Sequence, residues 1–403
     1  MDDIKLGLER ILNLSKACNN PQDKCKCIHI AGTNGKGSVG AFLESILIKN
    51  GKKVGRYISP AVFDSMEIIQ VNKTPIKQEE YDRNMSYLKG IEKEASVFEL
   101  ETALAFKYFY DMQCDICIIE TGLGGRLDAT NIISHPLCEI LTSISMDHMS
   151  FLGNTLSEIA YEKCGIIKQN SKVITFNQDR QIMNVISKKA NDMNATLYIA
   201  DKEKITDIDI KFGDTTFVYE GDVYSFSLMG RHQIENALLA IKASKCLDIP
   251  TKDIKEGIKA TVWKGRLDKI SDNPMIIVDG AHNEKAAANL LDAMDLYFDN
   301  KKIIYVCGVL KDKEYEKMLK IMSKKSDTII TFRPNNDRGL NSENLAKTAK
   351  KFYDNVYDAH AIDKALEKVY DYSNSKDSNI DFVFVVFGSL SFMKDINRYI
   401  HSH

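Results

Sequence analysis

The chain has 403 residues, of which 44% are hydrophobic and 27% are charged, a composition typical of globular proteins. Its net charge of −2 argues against nucleic acid or an anionic membrane as a partner, and no apolar run approaches the roughly 20 residues of a membrane-spanning helix. Residues 1–5 lack the apolar stretch of a secretory signal, and the nine scattered cysteines favour reduced thiols, so we expect a cytoplasmic protein.

The first 180 residues alternate short apolar runs with helical patterns, which predicts a parallel sheet with helices on both faces. Cys114 and Cys117 stand at C-x-x-C spacing in the third of these runs. Since no second pair follows them, we interpret both as core residues and not as a metal or redox pair. Strands are predicted at residues 27–30, 53–58, 115–120, 139–145 and 172–175, and helices at 39–48, 102–112 and 157–164.

Residues 196–229 change character, because short apolar runs are separated by Gly213-Asp214 and Gly221-Asp222, and they predict a small antiparallel β patch. We expect two α/β domains, residues 1–262 with a P-loop-type parallel sheet and residues 263–403, smaller and Rossmann-like. The remaining predicted elements are helices at 233–247, 252–260, 284–297 and 340–353 and strands at 275–278, 303–306, 328–332 and 382–387.

A glycine-rich turn joins the first predicted strand to the first predicted helix. Backbone N–H groups and the start of a helix face an anion in such a turn, which predicts a nucleotide-phosphate site. Lys36 would reach the outer phosphates, and the Ser38 hydroxyl would hold Mg²⁺. The turn consists of Gly32, Thr33, Asn34, Gly35, Lys36, Gly37 and Ser38, one residue tighter than the common phosphate loop.

Polar side chains follow the other strands of the first sheet at their carboxyl ends, where ligands bind in open parallel sheets. Ser59 follows the second strand, Glu120 ends the third, and His148 follows the fourth. Since Mg²⁺ takes few protein ligands, Ser38, Glu120 and His148 form a candidate set beside the glycine-rich turn.

Two residues of the first domain permit two interpretations each. Lys163 lies on the apolar stripe of its helix, near the helix end at Gly165. It either extends to solvent or is a desolvated amine with a lowered pKa, which CO₂ could convert to a metal-binding carbamate. Asn236, three residues after Gln233, either reads an adenine edge or serves as a cap.

The second domain places polar residues on the side that faces the first. Asp279 and His282 directly follow a predicted strand, and Ser389 follows the last one. Arg266 either balances phosphate charge from across a cleft or forms a surface salt bridge.

Ten motifs follow one another in an order that spans nearly the whole chain. On these motifs the chain resembles the folylpolyglutamate synthase and dihydrofolate synthase family, a branch of the ATP-dependent Mur ligases. The motifs are HIAGTNGKGS (29–38), YISP (57–60), VFELETA (97–103), ETGLGGRLDATN (120–131), LTSISMDH (141–148), LGNTLSEIAYEKCGIIK (152–168), GRHQIENA (230–237), WKGRLD (263–268), VDGAHN (278–283) and FGSL (387–390).

The resemblance implies roles for the matching residues. ATP would be bound by the glycine-rich turn together with Asn236, Arg266 and Asp279. One or two Mg²⁺ ions would be held by Ser38, Ser59, Glu120, His148 and Lys163, the last as a carbamate. The catalytic set would be Lys36, His148, Lys163, Arg266 and His282. Substrate contacts would come from Ser96, Phe98, Glu99, Leu127, Asp128 and Ala129 on the pteroate side and from His282 and Ser389 on the glutamate side.

The implied activity is the ATP-dependent joining of L-glutamate to a folate or dihydropteroate carboxylate through an acyl phosphate, by a monomer. One alternative is a Mur ligase for a peptidoglycan precursor, which usually carries a further N-terminal domain. Another is an ATP-binding switch, although such a protein has no need of the motif around Asp279. Ala61 and Ile68 stand where the family commonly has His and Arg, and many members carry a further helix upstream of Leu6.

Overall fold

The computed structural model describes residues 7–374 and 381–402. Residues 1–5, in which we expect no secretory signal, and Leu6 lie outside the described residues. Within the described part of the chain, no helix is both long and apolar enough to cross a bilayer.

An eight-stranded sheet forms the centre of the first half of the chain. Its spatial order is β4-β3-β2-β5-β1-β6-β7-β8. Neighbouring strands pair in parallel except at β2-β3 and β3-β4, because β3 runs in the opposite direction and forms an antiparallel hairpin with β4 at one edge. β1 and β5 are buried at every residue, as expected for strands covered on both faces. The strands are β1 (Cys27–Ala31), β2 (Val54–Tyr57), β3 (Ile69–Val71), β4 (Thr74–Pro75), β5 (Ile116–Glu120), β6 (Cys138–Leu141), β7 (Lys172–Phe176) and β8 (Thr196–Ala200).

Helices cover both faces of this sheet. One face packs on α2 (Lys36–Lys49), α8 (His232–Cys246) and α9 (Thr251–Lys259). The other face packs on the remaining helices of this half, so the sheet has an apolar core on each side. These are α1 (Glu9–Ala17), α3 (Gln78–Ile91), α4 (Val97–Asp111), α5 (Met149–Leu152), α6 (Leu156–Cys164) and α7 (Arg180–Asp192).

The antiparallel β patch has three strands, β9 (Ile205–Lys211), β10 (Asp214–Tyr219) and β11 (Asp222–Phe226), in the order β11-β10-β9. The prediction that it begins at residue 196 is wrong. Residues 196–200 form β8, which pairs in parallel with β7 over its whole length and closes the edge of the large sheet.

A six-stranded sheet forms the second α/β unit, in the order β12-β13-β17-β14-β15-β16, and only β12 is antiparallel to its neighbour. Its helices, again on both faces, are α10 (Glu284–Tyr297), α11 (Tyr315–Met322), α12 (Ser342–Ala349), α13 (Ile362–Asn374) and α14 (Met393–Ser402). Its strands are β12 (Asp268–Asp272), β13 (Met275–Val278), β14 (Lys302–Cys307), β15 (Thr328–Thr331), β16 (Asn355–Asp358) and β17 (Phe382–Phe387).

The α/β architecture with a large first sheet and a smaller second one is confirmed, with differences at element ends. The strand predicted at 139–145 stops at Leu141, because the following backbone turns toward the glycine-rich turn. There the carbonyl oxygen of Ser143 accepts the N–H of Thr33 at 2.7 Å. This contact fixes the turn against the end of β6.

Candidate active site

Close packing leaves no room for side chains at two glycines of the turn. Gly35 has a φ of +92°, and a Cβ there would lie 2.3 Å from Oδ1 of Asn236. A Cβ at Gly37 would lie 2.8 Å from the Trp263 ring, on which the Arg56 guanidinium stacks at 4.3 Å. No side chain among the described residues caps the start of α2, so its first N–H groups are available to an anion.

Lys36 and Glu120 face each other at the carboxyl ends of β1 and β5. Lys36 Nζ donates to the carbonyl oxygen of Gly32 at 3.2 Å and lies 3.8 Å from Glu120 Oε1. Glu120 is only 7% exposed. Burial raises the pKa of Glu120, while the charges of Lys36, Arg56 and Arg266 act against that rise. Lys36 is the one ion-pair partner of this carboxylate within residues 7–374 and 381–402.

The donors around Glu120 fit Mg²⁺. Ser38 and Ser59 line the same cavity as Glu120 and offer hydroxyl oxygens, which this cation prefers together with carboxylates. In the part of the chain that the structure describes, no group of three His, Cys, Asp or Glu residues is placed to hold a metal by itself. This agrees with a cation that takes most of its ligands from phosphate oxygens and water.

Lys163 is a buried amine beside the glycine-rich turn. It is 4% exposed, and its Nζ donates to the carbonyl oxygen of Gly32 at 2.9 Å. Burial lowers the pKa of Lys163 to about 7, and the positive charge of Lys36 acts in the same direction. The interpretation that Lys163 extends to solvent is therefore wrong, since its amine is desolvated inside the site.

His148 precedes α5 with a left-handed backbone, at a φ of +49°. Burial lowers the pKa of His148 to about 4, so its imidazole is neutral near pH 7. Lys313, from the second α/β unit, lies 3.3 Å from His148 Nε2 and 3.0 Å from Asp147 Oδ1. Sequence reasoning did not select Lys313.

Asp147 contacts three side chains of the second α/β unit, those of His282, Asn283 and Lys313. Its Oδ2 accepts Nδ2 of Asn283 at 3.1 Å and lies 3.5 Å from His282 Nε2. Burial alone would raise the pKa of Asp147, but the hydrogen bond from His282 and the charge of Lys313 hold it well below its usual range. Asn283 also donates to Oδ1 of Asn34, at 3.2 Å, and so connects the second unit to the glycine-rich turn.

Arg266 and Asp279 are also contributed by the second α/β unit. The Asp279 carboxylate accepts the backbone N–H groups of Leu267 and Ala281 at 2.9 and 2.8 Å. Burial raises the pKa of Asp279, and the Arg266 charge opposes that rise. The surface salt bridge considered for Arg266 is not formed, since no carboxylate of the described residues lies within ion-pair distance of its guanidinium. Arg266 instead lines the cavity.

Asn236 is buried inside α8 and is not a cap. Its Nδ2 donates to Oε1 of Gln233 at 2.9 Å, and its Oδ1 faces Gly35. The side chain thus lies against the glycine-rich turn.

The predicted pteroate residues line the same cavity. Glu99 accepts the N–H of Ser96 at 2.8 Å, and these two residues form the capping box at the start of α4. Glu99 also forms an ion pair with Arg10 at 3.0 Å. Asp128 likewise accepts N–H groups of Leu123 and Thr130, at 2.7 and 3.0 Å. Both carboxylates are therefore engaged in shaping the backbone of this wall.

One cavity of about 730 Å³ collects the whole predicted set. Every residue proposed from the sequence for ATP, metal, catalysis or substrate lines it. Among the other residues that line the cavity, sequence reasoning assigned no role to Asp147, His232 and Lys313. The signal for Lys313 was available, because it follows the carboxyl end of β14, but four charged residues in succession from 311 to 314 gave no way to choose among them.

Comparison with known proteins places this site in a family. The Mur ligase middle domain matches residues 30–244, and the Mur ligase glutamate ligase domain matches residues 265–390. The dihydrofolate synthetase of Saccharomyces cerevisiae is 36% identical, over 84% of this chain and 83% of that protein. The chain belongs to the dihydrofolate synthase/folylpolyglutamate synthase family. It is an ATP-dependent ligase of the Mur type.

Other relatives extend the match over the full chain. The dihydrofolate synthase/folylpolyglutamate synthase of Bacillus subtilis is 33% identical, over 98% of this chain and 95% of that protein. Mycobacterium tuberculosis folylpolyglutamate synthase complexed with ADP and AMPPCP has a TM-score of 0.91 at 27% identity, covering 97% of this chain and 95% of that one. Escherichia coli FolC in complex with DHPP and ADP has a TM-score of 0.87 at 26% identity, covering 99% and 94%.

Two departures of this dihydrofolate synthase/folylpolyglutamate synthase homologue from the common family pattern lie outside the cavity lining. Ile68 is 7% exposed and packs in the apolar cluster beneath α4, and Ala61 packs against the same cluster. Ser59 and Pro60, just before them, do line the cavity. The apolar residues at 61 and 68 thus support this wall from behind.

Proposed function

We propose that this protein joins the amine of L-glutamate to a carboxylate of a folate or dihydropteroate, with ATP converted to ADP and phosphate. The observation that carries the proposal is the shared cavity. In it the glycine-rich turn, Glu120 and Lys163 of the first unit face Arg266 and His282 of the second. Relatives named for this activity support it, and nothing in the site favours the peptidoglycan-precursor alternative.

The first step brings two anions together. A carboxylate oxygen attacks the γ-phosphorus of ATP, the bond to the β-phosphate oxygen breaks, and ADP leaves behind an acyl phosphate. Lys36 and Arg266 supply positive charge from opposite walls for this step, and the uncapped start of α2 adds N–H groups. Loss of one such contact costs on the order of 10²–10³ in rate.

The second step forms the amide bond. The amine nitrogen of glutamate attacks the acyl carbon, loses a proton and expels phosphate. We assign His282 and Ser389 to the glutamate side, because both lie on the second unit and line the cavity. Contact between the two units at Asp147 excludes water from the acyl phosphate.

Mg²⁺ would be held by Ser38, Ser59, Glu120, His148 and a carbamylated Lys163, in one or two sites. When bound, it neutralises phosphate charge during transfer. Because the imidazole of His148 is neutral, one of its ring nitrogens has a lone pair that could bind the metal ion. The pKa of about 7 gives Lys163 a large fraction of reactive amine, which combines with CO₂ to a carbamate and releases one proton.

Purified protein with ATP, Mg²⁺ and labelled glutamate tests the proposal when it is offered dihydropteroate and tetrahydrofolate in turn. We expect one amide bond to form for each ADP released. Both should be observed only when a pteroate-containing acceptor is present. Lys36→Ala should abolish incorporation, while Lys52→Ala, at an exposed position between α2 and β2, should not. ATP turnover without amide, or full activity of Lys36→Ala, would contradict the assignment. We also propose a cytoplasmic monomer that acts on small molecules.

A further inference from the structure

A group of thiols lies at the amino ends of the central strands β1 and β5, at the end of the large sheet opposite the active site. Cys27 begins β1, and Cys117 of β5 is its direct neighbour in the parallel register. The Cys117 N–H donates at 2.8 Å to the carbonyl oxygen of Lys26, which lies between Cys25 and Cys27. The C-x-C pair and the C-x-x-C pair, far apart in sequence, are therefore side by side. We call Cys25, Cys27, Cys114 and Cys117 the thiol cluster.

Cys117 is the centre of the thiol cluster. Cys117 and Cys27 belong to the apolar cluster beneath α4, and Cys25 and Cys114 pack against the same cluster. The neighbouring thiols of Cys25, Cys27 and Cys114 all raise the pKa of Cys117. Cys27 and Cys117 are fully buried, whereas Cys25 and Cys114 are partly exposed, in the turns that precede β1 and β5. A small oxidant can thus reach the outer thiols, which pack in the same apolar cluster as the buried one.

The surroundings make the outer thiols the more acidic ones. The hydrogen bond from Cys117 lowers the pKa of Cys25 and of Cys114, and the charge of Lys53 adds to the effect at Cys114. Hydrogen bonds to its neighbours and burial raise the pKa of Cys117 itself. These shifts favour a nucleophilic thiolate at Cys25 or Cys114 over one at Cys117.

The arrangement favours thiol chemistry over metal binding. No three of the His, Cys, Asp and Glu side chains in residues 7–374 and 381–402 are placed to hold a metal ion. None of the four cysteines lines the catalytic cavity. The interpretation of Cys114 and Cys117 as inert core residues overlooked the pair at Cys25 and Cys27, which precedes them in the chain.

We propose that the thiol cluster is a site of reversible oxidation, in which Cys117 forms a disulfide with Cys114 or Cys25. The thiolate of an outer cysteine attacks a hydrogen peroxide oxygen, the O–O bond breaks, and sulfenic acid and hydroxide form. The Cys117 thiol then attacks the sulfenic sulfur, an S–S bond forms, and water leaves. In total two thiols and one peroxide give one disulfide and two waters. A dithiol reductant reverses the reaction by exchange.

Peroxide treatment of the full-length protein, followed by alkylation and peptide mass spectrometry, tests this. We expect disulfide-linked peptides that contain Cys117, lost after treatment with dithiothreitol. Cys117→Ser should remove the intramolecular disulfide and leave a sulfenic acid at Cys114 or Cys25 that dimedone labels. Cys18→Ser is the matched control, since Cys18 is partly exposed in the same apolar cluster beside Lys107 and Asp111. It should leave the disulfide unchanged.

Two results would overturn the proposal. One is oxidation confined to Cys18 or Cys246, with the cluster still reduced. The other is an unchanged disulfide yield in Cys117→Ser. If Cys117→Ser does not fold by circular dichroism, the double variant of Cys25→Ser and Cys114→Ser, at partly exposed positions, replaces it. Its disulfide should be lost, and persistence of the wild-type yield would equally refute the role of the outer thiols.

Discussion

The ion pair between Asp147 and Lys313 should control how well the two α/β units assemble the active site. The side chains are 10% and 8% exposed, and their charged atoms are 3.0 Å apart. Asp147→Asn keeps the shape of the side chain but leaves the Lys313 ammonium without its anion. Removal of one partner of a buried pair costs about 3–5 kcal/mol. Water in the adjacent cavity relieves part of this cost, so we expect a cost of about 2–3 kcal/mol here. This corresponds to a loss of roughly 30- to 150-fold in kcat/KM for glutamate incorporation.

The assay is kcat/KM for glutamate incorporation, measured together with ATP affinity and thermal stability. The loss should appear in kcat/KM and much less in ATP affinity, because the pair lies between the units and not on the glycine-rich turn. A double-mutant cycle with Lys313→Ala decides the matter. The combined variant should be little worse than either single variant, with a coupling energy of about 2 kcal/mol. Additive effects, with coupling below about 0.5 kcal/mol, would refute the reasoning.

Three further predictions concern the cavity walls. Because the pKa of Lys163 is about 7, its neutral fraction rises as pH rises through 7, so bicarbonate-dependent activity and the ¹³C NMR carbamate signal should increase from pH 6 to 8. Lys163→Ala should lose both and regain some activity with short carboxylates; a pH-independent signal would contradict this. Arg266→Ala should lower turnover by about 10²–10³ with little change in nucleotide affinity, and unchanged turnover would remove Arg266 from the mechanism. Gly37→Ala should force the Trp263 ring to move, at a cost of about 1–3 kcal/mol, and weaken ATP binding. Trp263, the only tryptophan, reports this by fluorescence, and Gly90→Ala, with open space around it, is the control.

The local parts of the site were predictable from the sequence, because they follow directly from strand ends. Glu120 ends β5, and Lys36 and His148 lie in the segments that follow β1 and β6. The carboxyl ends of these parallel strands lie at the same end of the sheet. Periodicity alone did not decide whether Lys163 is buried, because an apolar stripe does not show whether its last residue reaches solvent. The surrounding strands, and not the helix itself, determine its burial.

Contacts that depend on strand order were not predictable. Cys25 and Cys114 come together because β5 is inserted beside β1, and no local pattern specifies that order. Lys313 reaches Asp147 only through the packing of one α/β unit on the other. The prediction of where the β patch begins was wrong for a related reason. Residues 196–200 resemble the short strands that follow them and differ only in the neighbouring strand with which they pair.

The amide pair between Asn34 and Asn283 has a thermodynamic consequence. Asn34 belongs to the glycine-rich turn, which we assign to nucleotide phosphate, and the Asn283 side chain caps the start of α10 beside His282. A nucleotide that orders the turn therefore also positions the start of α10, on the side assigned to glutamate. By linkage, an amino acid bound there must raise the affinity for nucleotide by the same factor by which bound nucleotide raises the affinity for the amino acid. The two substrates should act as mutual positive effectors, with a coupling that vanishes when either amide is replaced by alanine.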